Sequence, residues 1–99
     1  MNIELNKVYT FKLNSGEELI AKVVKNDPGF LTLEHPVSVA PSPQGMGLVP
    51  SLFTADPTTK VTINMNSISL VAETDDAVKM KYLEATTGIK VPEKKIIMG

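Results

Sequence analysis

One stretch constrains this chain more than any other: Leu13 to Leu33, LNSGEELIAKVVKNDPGFLTL. It reads as two β-strands with a glycine turn before each. In Asn14-Ser15-Gly16-Glu17 the Asn and Ser side chains bond nearby backbone and Gly16 permits positive φ. Leu19, Ala21 and Val23 then alternate with Ile20, Lys22 and Val24, the period of a strand. Lys25 to Gly29 is the second turn; Pro28 presets φ and Gly29 supplies the positive φ that a type II turn demands. Leu31 to Glu34 returns as an alternating strand. A bent hairpin of this kind seeds a small barrel, and it carries no catalytic group.

Ninety-nine residues make one domain with one modest core. Hydrophobic residues are 42% of the chain, too many for general disorder. With no cysteine and the single histidine His35, neither a thiolate nor a multi-histidine metal site is expected, and no cofactor. No apolar run has the length of a membrane helix, and MNIELNKV has no signal-peptide core. The expectation is a soluble cytoplasmic protein. All 10 basic residues are lysine, against 11 acidic ones. Without arginine there are no forked contacts to phosphate or guanine, which argues against strong nucleic-acid binding by one subunit.

The strands follow in order. Lys7–Leu13 is the first, with Tyr9, Phe11 and Leu13 on one face. The hairpin supplies the second and third, the third running on to about Ala40 with Pro36 at an edge or bulge. Residues 35–59 hold five prolines and form a long surface excursion, in which Gly47 to Phe53 is an irregular edge segment. Val61, Ile63 and Met65 mark the fourth strand, and Asn66-Ser67 a tight corner. Ile68, Leu70 and Ala72 alternate with Ser69 and Val71 in the fifth. Thr74 caps a helix at about 75–87 that buries Val78, Tyr82 and Ala85, and Gly88 stops it. The tail 88–99 carries lysines and Ile96-Ile97-Met98. The fold expected is mainly β: a five-stranded, strongly bent, SH3-like open barrel over about 7–73, with a C-terminal helix and a long excursion between strands three and four.

This order of strands resembles the Sm-like family of small barrels (Sm, LSm and bacterial Hfq proteins). Its first motif runs Leu-x-x-Gly-x-x-Leu, then a small residue, then an Asp; Leu13, Gly16, Leu19, Ala21 and Asp27 stand at that spacing. Its second motif, Ile-Arg-Gly-Asn-x-Ile, has the frame of Ile63-Asn64-Met65-Asn66-Ser67-Ile68. Divergent members of this type resemble those carried by bacteriophages. The family's N-terminal helix is missing, and its Arg and Gly are Asn64 and Met65. The resemblance implies RNA contacts at Phe30, Asn64 and Asn66, and an Asp27 that holds the bend beside Gly16 and Gly29. It also implies a subunit interface at Val61, Ile63, Ile68 and Leu70, where edge strands pair into a homo-oligomeric ring of about five to seven subunits.

Each site residue has a plainer reading. Phe30 either stacks on a base or fills a core or interface; Asn64 either reads a base edge or satisfies its own turn. Glu17-Glu18 reads as solvated charge, and His35 with Glu34 lacks a third partner for a triad. No enzyme is expected. Two functions remain. One is a ring-forming module that binds RNA weakly, or a partner macromolecule, through the ring. The other is an adaptor that binds a protein through the proline-rich excursion and its Leu48-Val49, Leu52-Phe53 patch, with no nucleic-acid role.

Overall fold

The computed structural model describes residues 2–87. Strand β1 (Lys7–Leu13) sends Tyr9 and Phe11 to one face and Val8 and Thr10 to the other. It pairs antiparallel with β2 (Glu18–Asp27) through the Gly16 turn, where φ is +96°. β2 pairs with β3 (Phe30–Ser42) around Pro28-Gly29, with Gly29 at φ +86°.

Two bulges bend this hairpin. Between the pairs Val23–Leu33 and Lys25–Thr32, β2 advances two residues and β3 one, so β2 holds an extra residue. Between Lys22–Glu34 and Ile20–Val37, β3 advances three and β2 two. That second bulge contains His35, at φ +51°, and Pro36. It flips the phase of β3: Leu31 and Leu33 face one core, Val37 and Val39 the other. β3 is thereby split into halves that take different partners. Its outer half pairs with β4 (Gly45–Pro50), its inner half with β5 (Val61–Asn64).

A single 3-10 turn, Met65–Ser67, links β5 to β6 (Ile68–Glu73), which pairs with β1. The strand order is β4-β3-β2-β1-β6, with β5 also on β3. β5 and β6 therefore lie at opposite ends of the path β5-β3-β2-β1-β6, yet three residues join them. The sheet must curl until those ends meet. Asn14 fastens the seam: its N–H donates to Ser67 O (2.8 Å), its Nδ2 to Asn66 O (2.7 Å), and its Oδ1 accepts from Ser69 Oγ.

Inside the curl lie Tyr9, Phe11, Leu19, Ala21, Val23, Leu31 and Leu33. On the outer face Val8, Ile20 and Val37 receive helix α1 (Asp76–Thr87) through Tyr82, with Val39, Leu48, Val78 and Leu83 around it. Burying one such aromatic contributes on the order of 2–3 kcal/mol, which a twelve-residue helix, marginal alone, requires. The Tyr82 hydroxyl donates to Glu34 O at 3.0 Å, and burial pushes its pKa up to about 12.

Four expectations need correction. The sheet has six strands: Gly45–Pro50 is a regular strand, because Gly45 at φ +116° turns a tight hairpin that sets it against β3. In β6 the pairing with β1 jumps from Lys12–Leu70 to Leu13–Ile68, a bulge that breaks the alternation. Val71 consequently joins Ile68 at the core while Leu70 is 66% exposed. Thr74 does not cap the helix; it is buried and bonds Thr10 (Oγ1–Oγ1, 2.9 Å). The cap is Asp75, whose Oδ2 accepts from the N–H groups of Ala77 (3.1 Å) and Val78 (3.3 Å). Leu83, not Ala85, completes the buried helix face. The expected stop at Gly88 and the tail 88–99 lie outside the described residues. Among those described, no helix is long and apolar enough to cross a membrane.

Two consequences can be measured. Asp75→Ala should lower stability by about 1 kcal/mol in urea titration, through loss of the cap. Tyr82 has a folded pKa above its ordinary value of 10, so its contribution is complete below pH 10 and fades as pH rises towards 12. The wild-type urea midpoint should fall more steeply across that window than that of Tyr82→Phe.

Candidate functional site

Pro36 and the kink at His35 turn the outer half of β3 away from the inner half. β4 follows the outer half, so the chain must travel back from Pro50 to Val61 to reach β5. The returning segment, residues 51–60, supplies much of the lining of an apolar groove of about 500 Å³. Its lining brings together His35, Pro36 and Val37 of β3, Leu48 to Pro50 of β4, and Ala85 and Thr86 of α1. Leu52 and Phe53 stand at its margin, 49% and 81% exposed.

Polar bonds fix the start of the returning segment and a turn within it. Buried Ser38 donates through Oγ to Glu17 Oε2 and shares a hydrogen bond with Ser51 Oγ (3.0 Å), while Ser51 N–H donates to Pro36 O (3.3 Å). Asp56 Oδ1 accepts from the Thr58 N–H (2.8 Å) and the Thr58 hydroxyl (2.7 Å), which holds its carboxyl below the usual range. Asp56 is the one carboxylate among the described residues of the groove wall, which includes no lysine. A preformed apolar concavity with one fixed negative charge suits an apolar ligand that carries a cationic group.

The residues singled out for RNA come together at another place. Phe30 is 47% exposed and sits opposite Asn64 in the β3–β5 register. Met65 N–H donates to Gly29 O (2.9 Å), so the bend and the corner touch. Asn64, however, caps the 3-10 turn: its Oδ1 accepts from Asn66 N–H at 2.8 Å and its carbonyl from Ser67 Oγ at 2.7 Å. That is the plainer reading of Asn64. Asn66 is exposed, and its carbonyl is the one bonded by Asn14. Asp27 is exposed, pairs with Phe30 across the tip, and approaches Lys25 at 3.7 Å.

Of the residues assigned to an interface, Ile63 and Ile68 pack against the inner core, Val61 is half-buried at the groove, and Leu70 faces out. Ile68 and Leu70 also line a smaller cavity of about 210 Å³ with Met65 and Phe11. Among the described residues no three His, Asp or Glu side chains cluster as a metal site. Sequence reading located the Leu48–Phe53 patch. It missed His35, Pro36, Ala85 and Thr86 as groove walls, since nothing local indicates that a helix end returns to a strand kink.

No family model and no curated protein matches this chain. Among solved structures, it is similar to a chain in the crystal structure of the NatC complex bound to CoA, at 15% identity and a TM-score of 0.49. The likeness covers 83% of this chain and 99% of that one.

The capping geometry predicts that Asn64→Ala destabilises the fold by about 1 kcal/mol, measured by urea denaturation. A fully stable Asn64→Ala variant would free that side chain for ligand contact.

Proposed function

We propose that this chain is a non-catalytic interaction module, and that the groove beside β4 takes an apolar segment of a protein partner. The observation that carries this reading is Phe53, 81% exposed at the margin of a 500 Å³ apolar groove. A large aromatic held in water beside an apolar concavity is characteristic of a surface that is covered on binding. The adaptor reading is supported over RNA binding because Asn64 is engaged in its own turn and the chain has no arginine.

A second reading concerns assembly. β5 pairs with β3 and β6 with β1, and no other strand pairs with either among the described residues. Leu70 is exposed beside β6's open edge. Joining β5 of one subunit to β6 of the next satisfies both edges, and repetition closes an Sm-like ring. Phe30 would then recur around the ring, giving weak RNA contact of shallow salt dependence.

Capture from a lysate of the source cells by immobilised wild type, Phe53→Ser and Phe30→Ala separates the two ligand classes. The protein retained by wild type and Phe30→Ala should be lost, by about tenfold in affinity once titrated directly, with Phe53→Ser. Light scattering should give a multiple of 10.7 kDa, about five to seven subunits, if the ring forms. A mass of 10.7 kDa removes the ring and leaves the groove reading intact.

A further inference from the structure

The ladder between β3 and β4 fixes which β4 backbone groups are free. Ser51 N–H bonds Pro36 O, and every β3–β4 pair keeps the same register. Bonded and non-bonded pairs alternate in an antiparallel ladder. Ser38–Val49, Ala40–Gly47 and Ser42–Gly45 are therefore the bonded pairs, and Val37–Pro50, Val39–Leu48 and Pro41–Met46 the non-bonded ones. Met46, Leu48 and Pro50 turn their backbone groups outward, to the edge where no described strand pairs. Two N–H groups (Met46, Leu48) and three carbonyls (Met46, Leu48, Pro50) face out; Pro50 has no N–H to offer.

This edge is unguarded. Sheet edges are normally protected by charge, bulges or proline, and the strand GMGLVP has no charged residue and its one proline at the end. The edge runs into the groove, because Leu48 and Pro50 belong to both. A strand laid along β4 would place alternate side chains on the face that Leu48 and Pro50 share with Val37, a face that lines the groove.

We propose that the partner enters as an added β-strand: an extended, mainly apolar segment of another protein, with one cationic side chain, pairs with the outer edge of β4 and fills the groove. This deepens the proposed function and rests on its groove. Charge identifies the occupant. Asp56 stands in the wall with its carboxylate held ionised, and a second copy of β4 would bring no cation to meet it. Strand addition provides backbone bonds for affinity and side-chain sites for specificity.

The probe is an acetylated heptapeptide of alternating valine and threonine with a central lysine, titrated to millimolar concentration into the ¹⁵N-labelled full chain. The amides of Met46 and Leu48 should shift and exchange with solvent at least about tenfold more slowly, whereas Gly47 and Val49, already bonded to β3, change little. Signals of Phe53 and Asp56 should move in the same titration. Met46→Pro deletes an outward N–H beneath a side chain already 44% exposed, and should weaken binding about tenfold with the fold retained by circular dichroism. If Met46→Pro unfolds, Met46→Lys, which places charge on the edge, should weaken binding likewise. Groove shifts without protection at Met46 and Leu48 overturn strand addition but leave the groove reading standing. No shift at either place overturns both. Protection without peptide that grows with protein concentration identifies a second copy, and protection persisting at high dilution identifies a segment of the same chain; either overturns the proposal.

Discussion

Three residues, Met65 to Ser67, connect strands that stand at opposite ends of the sheet path, and most of the architecture answers to that short link. A flat antiparallel sheet spaces its strands about 5 Å apart, so five strands on a plane would separate the ends by roughly 20 Å. The four Cα–Cα steps from Asn64 to Ile68 reach at most about 14 Å. The sheet must coil, and coiling produces the enclosed core of Tyr9, Phe11, Leu31 and Leu33. The bulges in β2 and β3 supply the bend where it is needed, and Asn14 supplies the clasp at the seam.

The same bend explains which parts of the fold were legible in the sequence. The alternation of Leu19, Ala21 and Val23, the glycine turns at Gly16 and Gly29, and the short corner before Ile68 depend on neighbours in the chain, so local patterns reveal them. One phase error arises at the bulge in β6, which adds one residue and inverts the later assignments. Leu70 was placed on Ile68's face because nothing in ISLVAE marks the irregularity opposite Lys12 and Leu13. The regular strand β4 was obscured by Pro50, which is harmless where it stands because its missing N–H faces outward. Thr74 resembled a cap, but burial drew it to Thr10 and left the task to Asp75.

The candidate site was half legible for the same reason. Leu48 to Phe53 announces an exposed apolar stretch by composition alone. The rest of its lining comes from the strand kink at His35 and the last turn of α1, a juxtaposition that only the folded sheet creates. Asn64 shows the reverse case. The motif frame singled it out, and its side chain is committed to the backbone beside it. Small polar side chains do this throughout the protein, at Asn14, Ser38, Thr10 and Asp75, where they satisfy backbone or side-chain groups at seams between elements.

The division of β3 has an architectural consequence. Its inner half, with β2, β1 and β6 on one side and β5 on the other, forms an open path whose two end strands the short corner joins, while β4 and residues 51–60 hang from the outer half. A chain that passed from Pro36 directly to Val61 would keep the inner storey's pairing of Leu31 and Leu33 with β5, but would lose Val37 and Leu48 from the packing around Tyr82. Loop-closure entropy grows only slowly with length, so this storey tolerates almost any span of intervening sequence. The stretch from Ser51 to Lys60 is in this sense an appended span, whereas Val37 and Leu48 stay tied to the rest through their packing around Tyr82. A change in the length of that span would leave the pairings beside the short corner, β1 with β6 and the inner half of β3 with β5, in place.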